Sequence, residues 1–319
     1  MQIRILSAAE VRAALPMPKA IEAMKIAFSQ LSAGEAAMPL RAQVATQKGV
    51  TLLMPAYLQR SQNLGVKIVS VYGDNPSLGL PIIAATVLVL DPQTGFPKAF
   101  MDGSSLTAIR TGAGGGLAAD LLARREARVV GLFGAGVQAR AQLQAVLAVR
   151  SITQVNLLSR TQASAQKLAA EIAAWPNAPA VTLAETPKEV VQEADIVIGA
   201  TTSKTPLFDG HDLKPGTHVT GVGSFTPDAQ EIDAVTVKRA RIVVDSREMC
   251  LLEAGDLIIP QAEIEAELGE IVNGLKPGRR SDAEITFFKS VGVAVQDAAA
   301  AAAVLAEAEA KGLGIVVEL

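Results

Sequence analysis

The sequence has 319 residues, of which 29 are Lys or Arg and 32 are Asp or Glu, so the formal net charge is −3 at pH 7. This balance excludes the strongly basic surface of a typical nucleic-acid-binding protein, and we predict no nucleic-acid partner. Half of the residues are hydrophobic and 3% are aromatic, which excludes global disorder and predicts a core of aliphatic side chains. At about 150 residues per domain, the length predicts roughly two domains.

Neither a signal peptide nor a membrane span is predicted. The segment Met1–Glu10 has no apolar core, and the longest apolar stretch, Pro81–Leu90, is too short to cross a bilayer. Cys250 is the only cysteine, so an intrachain disulfide is impossible and a cytoplasmic protein is expected. His211 and His218 have no carboxylate or thiol at metal-ligand spacing, so no metal site is predicted.

The first 110 residues are predicted to form two helices and an antiparallel sheet. The helices are expected over Ala8–Leu15 and Met17–Ala33, the second ending at a glycine. Apolar or alternating segments separated by turns predict an antiparallel meander. Its strands are Thr51–Ala56, Leu64–Tyr72 and Ile82–Leu90. A helix over about Ser105–Ala123 is expected to cross into the next domain.

From about Ala127 onward, strands alternate with helices, which is typical of parallel βαβ units. Strands are predicted over Arg128–Phe133, Gln154–Leu158, Val181–Leu183, Ile196–Ala200, His218–Val222 and Ile242–Asp245. Helices are predicted over Val137–Val149, Gln162–Trp175 and Thr186–Glu193. The alanine-rich segment Val295–Lys311 predicts a last helix, and Gly314–Leu319 predicts a strand that returns to the first domain.

A glycine-rich turn joins the first of these parallel strands to its helix. Gly134 permits the tight turn, Gly136 lets the backbone approach a pyrophosphate, and Ala139 keeps the helix close to the sheet. The pyrophosphate would lie at the helix N-terminus, at Val137 and Gln138, where unpaired N–H groups favour negative charge. A glycine turn made for packing alone is the alternative, but the strand and helix on either side favour a dinucleotide site.

The end of the next strand bears on the choice of cofactor. Ser159, Arg160 and Thr161 follow it, without the acidic residue that would bind the ribose 2′-hydroxyl of NAD. Arg160 can pair with a 2′-phosphate, to which the two hydroxyls can donate. A helix cap at Ser159 or Thr161 with a solvated arginine is the alternative, and both can hold together. We predict NADP(H) as the preferred cofactor, with NAD(H) possible.

Several motifs, in their order along the chain, carry a resemblance to a known family. They are Leu106–Ala113 with Gly116–Ala119, Gly134–Ala139, Gly199–Ser203, Gly221–Ser224, Thr226–Glu231 and Val291–Asp297. Together they resemble the ornithine cyclodeaminase/mu-crystallin family over nearly the whole chain.

This resemblance implies an α/β fold in which a Rossmann-type, doubly wound parallel sheet is inserted into an α+β domain. The α+β domain, for substrate binding and dimerisation, would comprise residues 1–118 together with 296–319. The Rossmann dinucleotide-binding domain would comprise residues 119–295. The family also implies a homodimer whose sheets join across the subunit interface. Its chemistry is hydride transfer between a nicotinamide and the α-carbon of an amino or imino acid.

The resemblance further implies that Arg41, Lys67 and Arg110 bind the substrate carboxylate. A guanidinium holds a carboxylate by two parallel hydrogen bonds and so fixes the α-carbon. Lys67 and Arg110 are the predicted catalytic residues, and Lys67 could supply or relay the proton that an imine nitrogen needs. Without the resemblance, a lysine in the middle of a strand would more simply be an exposed residue.

The same motifs supply the remaining site residues. Where the cyclodeaminases carry an aspartate, this chain has Ser224, which is predicted to contact the substrate. A hydroxyl cannot replace a carboxylate as a base, and this argues against a lyase. The remaining predicted cofactor contacts are Thr111, Ala200, Thr201, Val222, Gly223 and Val293.

We predict an NADPH-dependent reductase of a small cyclic imino acid. It would convert Δ1-pyrroline-2-carboxylate or Δ1-piperideine-2-carboxylate to L-proline or L-pipecolate. The alternatives are an alanine dehydrogenase-like amino-acid oxidoreductase, an ornithine cyclodeaminase, and a non-enzymatic binder of small ligands. The first differs in needing free ammonia and an open-chain keto acid; Ser224 and Arg160 argue against the second, and the carboxylate-binding residues argue against the third.

Overall fold

The computed structural model describes residues 2–318; Met1 and Leu319, which lie at the ends of two predicted segments, fall outside this range. The strands are β1 (Gln2–Leu6), β2 (Ala36–Ala37), β3 (Ala42–Ala45), β4 (Val50–Leu58), β5 (Asn63–Val71), β6 (Ile83–Leu90), β7 (Pro97–Asp102), β8 (Val129–Phe133), β9 (Gln154–Leu158), β10 (Ala180–Leu183), β11 (Ile196–Gly199), β12 (His218–Gly221), β13 (Arg241–Val244), β14 (Ala266–Glu267), β15 (Thr286–Lys289) and β16 (Ile315–Glu318). The helices are α1 (Ala8–Ala14), α2 (Met17–Ser32), α3 (Gly103–Leu122), α4 (Val137–Val149), α5 (Gln162–Ala173), α6 (Pro187–Val191), α7 (Ala234–Arg239), α8 (Arg247–Glu253), α9 (Gly255–Ile258), α10 (Leu268–Val272) and α11 (Ala294–Lys311), with 3₁₀ turns at Asn75–Leu78 and Gly210–Asp212. None of the helices formed by residues 2–318 combines the length and apolar character needed to cross a bilayer.

The chain divides into two compact units. Unit 1 is formed by the chain up to Thr111 and from Val293 onward, and unit 2 is the continuous segment Gly112–Gly292 between them. Helix α3 runs through the first division and α11 begins just after the second.

Unit 1 is built on a sheet with the strand order β16-β1-β7-β6-β5-β4-β2, and β3 also pairs with β4. Strands β4, β5 and β6 form the predicted antiparallel meander. Strand β7, which was not predicted, extends it, and β1 lies parallel to β7. Helix α11 packs against α2, β4 and β5 and buries the run Ala298–Ala301. Because alanine combines high helix propensity with a small side chain, this segment forms an ordered core helix, as predicted.

The two faces of this sheet differ in character. Successive side chains of a strand point to opposite faces, so Gly65, Lys67 and Val69 of β5 are buried. On the opposite face Ile68, Ile5 and Phe100 are exposed, by 40%, 42% and 39% respectively, and the last two are paired across β1 and β7. This face of unit 1 is therefore apolar and open.

Unit 2 is a parallel sheet with the strand order β10-β9-β8-β11-β12-β15-β13-β14. From the centre of the sheet, successive strands are added on one side in the order β8, β9 and β10 and on the other side from β11 to β12 and beyond. This is the order of a doubly wound sheet, which confirms the predicted fold class. The carboxyl ends of its strands lie along one edge, where open α/β sheets bind their ligands.

Helix α5 and strand β15 are examples of where the structure differs from the predicted elements. Helix α5 ends at Ala173 rather than Trp175, because a residue that precedes a proline, here Pro176, disfavours the helical conformation. Strand β15 was not predicted, since Thr286 and Lys289 interrupt its apolar pattern. Both polar side chains are nevertheless buried in the sheet.

The C-terminal end of α3 is capped by two arginines. Arg150 donates to the carbonyl oxygens of Ala119, Asp120, Ala123 and Arg124, and Arg279 donates to that of Leu122. The last carbonyls of a helix have no partner within it. The carbonyls of Ala119 and Arg124 also accept backbone hydrogen bonds, and that of Leu122 also accepts from the Thr286 hydroxyl. The two guanidinium groups therefore add donors at this helix end, and their positive charge complements the helix dipole.

Candidate active site

Unit 1 contains a buried ionic cluster. Lys67 on β5 and Arg110 on α3 are only 2% and 4% exposed. The Lys67 Nζ lies 2.7 Å from Asp297 Oδ2, and the Arg110 Nε donates to Asp297 Oδ1 at 2.9 Å. One carboxylate at the start of α11 thus uses a separate oxygen for each cation, and the N-terminal end of a helix is a favourable place for its charge.

The residues beside Asp297 hold Arg110 in place. The Gln296 Oε1 accepts hydrogen bonds from Arg110 Nη1 at 2.9 Å and from the backbone N–H of Val293 at 3.0 Å. Val293, a predicted cofactor contact, therefore anchors Gln296 through its main chain. Arg110 thus uses its Nε and Nη1 atoms within unit 1.

Arg41 completes the cluster from the segment before β3, where it is partly buried. Burial, together with the charges of Arg110 and Arg41, lowers the pKa of Lys67 to about 8, while Asp297 opposes the shift. The three predicted carboxylate-binding residues thus act on one another electrostatically. Arg41 and Arg110 both act on Lys67, and a site that gathers cationic side chains suits an anionic ligand.

In unit 2 the glycine turn has the geometry expected of a dinucleotide site. Gly134 has φ +101°, and a Cβ there would lie 2.5 Å from the carbonyl oxygen of Ala200, so only glycine fits. At Gly136 a Cβ would meet no atom within 4 Å, so this side of the turn is open. The Arg140 Nη1 donates to the carbonyls of Ala135 and Gly136 at 2.6 and 3.0 Å. The turn's acceptors are thus occupied by Arg140, while no side chain caps the helix N-terminus.

These residues fit a dinucleotide. The uncapped first turn of α4, which starts at Val137, offers backbone N–H groups to a phosphate. The buried Oε1 of Gln138 has no hydrogen-bond partner within the described range, and an acceptor of this kind suits a hydroxyl or amide group of the cofactor. The open space beside Gly136 provides room for the ligand.

The residues after β9 lie beside a pocket of about 330 Å³. Its lining includes Ser159 and Gln162 together with aliphatic side chains and Glu185. Thr161 caps α5, since its Oγ1 accepts from the backbone N–H of Ser164; the capping alternative therefore holds for Thr161. Arg160 is exposed, and no ion pair links it to any of residues 2–318.

The loops that follow β11 and β12 meet at one buried carboxylate. The Glu231 Oε1 accepts from the backbone N–H and the hydroxyl of Thr201 at 2.7 and 2.6 Å, and its Oε2 accepts from the N–H of Gly223 at 2.8 Å. Burial raises the pKa of Glu231, against the effect of Thr201 and Lys289. The sequence analysis did not identify Glu231, although it lies within one of the family motifs.

A buried ion pair forms hydrogen bonds to the backbone of the same loops. The Lys289 Nζ lies 2.6 Å from Asp256 Oδ2 and donates to the carbonyl of Ser224. Asp256 in turn accepts from the backbone N–H groups of Glu231 and Ile232. The Ser224 hydroxyl donates to the carbonyl of Ala229 at 2.5 Å, so its proton is used within the loop.

The predicted residues thus fall into two groups. Arg41, Lys67 and Arg110 lie together in unit 1, where Thr111 and Val293 also belong. Those of unit 2 follow the carboxyl ends of parallel strands, at one edge of the sheet. They are Gly134, Gly136, Val137, Gln138, Ser159, Arg160, Thr161, Ala200, Thr201, Val222, Gly223 and Ser224.

The histidines have structural surroundings. His218 is buried between the hydroxyls of Thr286 and Thr220, and burial lowers its pKa to about 3. His211 is exposed and contacts Asp209. Within residues 2–318 no group of three or more His, Cys, Asp or Glu side chains is arranged to hold a metal ion.

Comparison with known proteins places this arrangement in a family. A model of the ornithine cyclodeaminase/mu-crystallin family matches residues 1–312. The chain belongs to this family. A Δ1-pyrroline-2-carboxylate reductase of Bacillus cereus is 39% identical to it over 324 residues, covering 98% of this chain and 99% of the relative.

Solved structures of family members are similar over the full length. A Thermococcus litoralis Δ1-pyrroline-2-carboxylate reductase in complex with NADH and L-proline is 40% identical, with a TM-score of 0.94 over 99% of this chain and 100% of that one. An archaeal alanine dehydrogenase dimer with bound NAD is 33% identical, with a TM-score of 0.93 over 100% of both chains. These findings confirm the predicted family and the predicted class of enzyme, an NAD(P)H-dependent oxidoreductase acting on C=N or CH–NH bonds.

Proposed function

We propose that this protein reduces small cyclic imino acids, with Δ1-pyrroline-2-carboxylate as its substrate and L-proline as the product. The observation that carries the proposal is the gathering of Arg41, Lys67 and Arg110 in unit 1, where guanidinium groups can bind a carboxylate beside a buried lysine that can donate a proton. The names of the Bacillus and Thermococcus relatives support this choice of substrate. Δ1-Piperideine-2-carboxylate, with one more ring carbon, is the second substrate proposed.

Each cation has a separate role in the proposed reaction. Arg110 and Arg41 bind the substrate carboxylate and orient the imine carbon. Lys67 donates a proton to the imine nitrogen, for which a pKa near the working pH is favourable. The nicotinamide cofactor, when bound, supplies the hydride for the imine carbon. Catalysis thus depends on orientation and on charge placement, without a covalent intermediate.

A panel of substrates tests the proposal. Oxidation of NADPH and NADH by the purified protein would be followed with Δ1-pyrroline-2-carboxylate, Δ1-piperideine-2-carboxylate, and pyruvate with ammonium or methylamine. We expect the highest kcat/KM with Δ1-pyrroline-2-carboxylate. Faster turnover of pyruvate with ammonium would instead indicate an alanine dehydrogenase, the activity named for the archaeal structure. Ammonia release from ornithine without added cofactor would indicate a cyclodeaminase, and no oxidation with any imine would indicate a binding protein.

The proposed cofactor preference is for NADP(H), held at the edge of the unit 2 sheet by the glycine turn and by the loops after β9, β11 and β12. Arg160 supports it, since an exposed guanidinium that pairs with no described residue is available to a 2′-phosphate. We expect Arg160→Ala to lower kcat/KM for NADPH by about tenfold or more, the equivalent of one charge-assisted hydrogen bond, and to leave that for NADH unchanged. A clear preference of the unmodified protein for NADH would overturn the assignment.

The proposed assembly is a homodimer that covers the open apolar face of the unit 1 sheet. Ile5 and Phe100 are paired there, Ile68 lies on the same face two strands from Phe100, and all three are exposed in the single chain. Large exposed apolar patches are uncommon on monomers and mark interaction sites. The dimer recorded for the archaeal relative supports the proposal. The cytoplasm stays the proposed compartment, consistent with the single, buried free thiol of Cys250.

A further inference from the structure

We propose that Asp297 is a positioning residue that keeps Lys67 charged as the proton donor and ties it to Arg110. The inference deepens the proposed function and rests on it for the role of Lys67. Asp297 ends one of the family motifs, and the sequence analysis gave it no role in the site. Its contacts in the folded chain assign it a part in the reaction.

Geometry carries the inference. Asp297 is 1% exposed, and its two oxygens lie 2.7 Å from Lys67 Nζ and 2.9 Å from Arg110 Nε. Each oxygen serves one cation, so the carboxylate fixes the ammonium relative to the guanidinium that binds substrate. The neighbouring Gln296 accepts from Arg110 at a different nitrogen. Among residues 2–318, Asp297 is the carboxylate that forms ion pairs with both Lys67 and Arg110.

The charges around Lys67 explain why the link matters. Arg110 on α3 and Arg41 before β3 both repel its positive charge, as does burial itself, whereas Asp297 on α11 attracts it. A buried ammonium beside two guanidinium groups would lose its proton near neutral pH if the carboxylate were absent. A neutral lysine has no proton to give to the imine.

The proposed step is balanced. An N–H bond of Lys67 breaks as a new N–H bond forms on the imine nitrogen, which leaves Lys67 as a neutral amine. Asp297 and Arg110 then remain as a neutral ion pair, so the transfer does not leave an unpaired carboxylate in the interior. Lys67 takes up a proton from solvent before the next turnover.

Asp297→Asn tests the inference, with Gln296→Met as the matched control one residue away. In the unmodified enzyme, kcat for imine reduction should fall as the pH rises through about 8. In Asp297→Asn we expect this falling limb of the pH profile of kcat to shift to lower pH by about one unit or more, because the charge that stabilises the ammonium is lost.

Gln296→Met should raise KM and leave the falling limb of the pH profile in place. Asp297→Glu, which keeps the charge, should return the limb toward its original position. A limb that does not move in Asp297→Asn would overturn the inference.

A second measurement needs no substrate and separates this inference from the proposed function. Urea unfolding of Lys67→Met, Asp297→Asn and the double variant gives a double-mutant cycle. We expect the double variant to lose less stability than the sum of the single losses, since Lys67→Met removes a cation that Asp297→Asn leaves without its partner. Simple additivity would refute the coupling. If no imine is turned over, the proposed function fails while this cycle still tests the link.

Discussion

Lys67 is a charged side chain on the buried face of a strand, between Gly65 and Val69. A buried ammonium without a partner costs several kcal/mol, so its presence there requires a counterion from elsewhere in the chain. Asp297 provides this counterion from a position 230 residues later in the chain. A buried pair of this kind is a poor source of stability, and we propose that it is retained for the reaction.

We expect Lys67→Met to lower kcat for imine reduction by about 10²–10⁴-fold, the usual range for loss of a positioned proton donor. Methionine is similar in length and apolar, so the side chain still fills its place in the core. Steady-state kinetics would measure the change. Titration of NAD(P)H fluorescence should show unchanged cofactor binding, since the glycine turn lies in unit 2. Turnover close to that of the unmodified enzyme would remove Lys67 from the mechanism.

At the scale of elements, the two glycines of the turn between β8 and α4 differ in what requires them. Gly134 is required by its backbone, as φ +101° and the nearby Ala200 carbonyl both exclude a side chain. Gly136 has φ −84° and open space where a Cβ would lie. The folded chain alone therefore gives no reason for glycine at position 136, whereas a ligand approaching the backbone does.

We expect Gly136→Ala to leave the free energy of unfolding within about 0.5 kcal/mol of the original and to weaken NAD(P)H binding by about tenfold or more. Gly134→Ala is the comparison variant and should lose both stability and binding. Urea unfolding and fluorescence titration would measure the two effects. Undiminished cofactor binding in Gly136→Ala would argue against a dinucleotide at this turn.

The end of α3 gives a prediction about stability. Arg150 donates to four carbonyls, of which those of Ala119 and Arg124 also accept backbone hydrogen bonds, and it pairs with the side chain of Asp120. Arg150→Ala should therefore destabilise the protein by about 2–4 kcal/mol, through buried acceptors left without partners. Arg125→Ala, a change at an exposed arginine nearby, is the matched control and should change little. Thermal or urea unfolding without cofactor measures both, and equal stability of the two variants would contradict the capping role.

For the whole molecule, the open face of the unit 1 sheet predicts the state of assembly. Placing charge there by Ile68→Glu with Phe100→Glu should convert a dimer to a monomer, because a stable interface does not bury unpaired carboxylates. Light scattering coupled to size-exclusion chromatography would measure the mass. Leu251→Glu, at an exposed leucine of unit 2, should leave the dimer intact. A monomeric unmodified protein, or a dimeric double variant, would refute the proposed interface.

Much of this architecture could be predicted from local pattern. Helix α4 and strand β9 have the predicted bounds, because apolar periodicity and glycine or serine boundaries are local signals. Strand β15 could not be predicted, since its ends are polar. Lys289 is tolerated in the core because Asp256 pairs with it. Local sequence pattern cannot predict this pairing, since the two residues are far apart in the chain. Strand β1 escaped prediction as well, since its parallel pairing with β7 joins segments far apart in the chain.

The amino-acid order by itself determined the parallel sheet, the glycine turn and, through the family motifs, the three cations. These depend on residues close together in sequence, where spacing reports local geometry directly. Folding alone decided which groups surround those cations. The contacts of Asp297, Gln296 and Glu231 form when segments distant in sequence meet in the fold. The cost of burying a charge depends on every neighbour within a few ångströms, and these neighbours are not adjacent in the sequence.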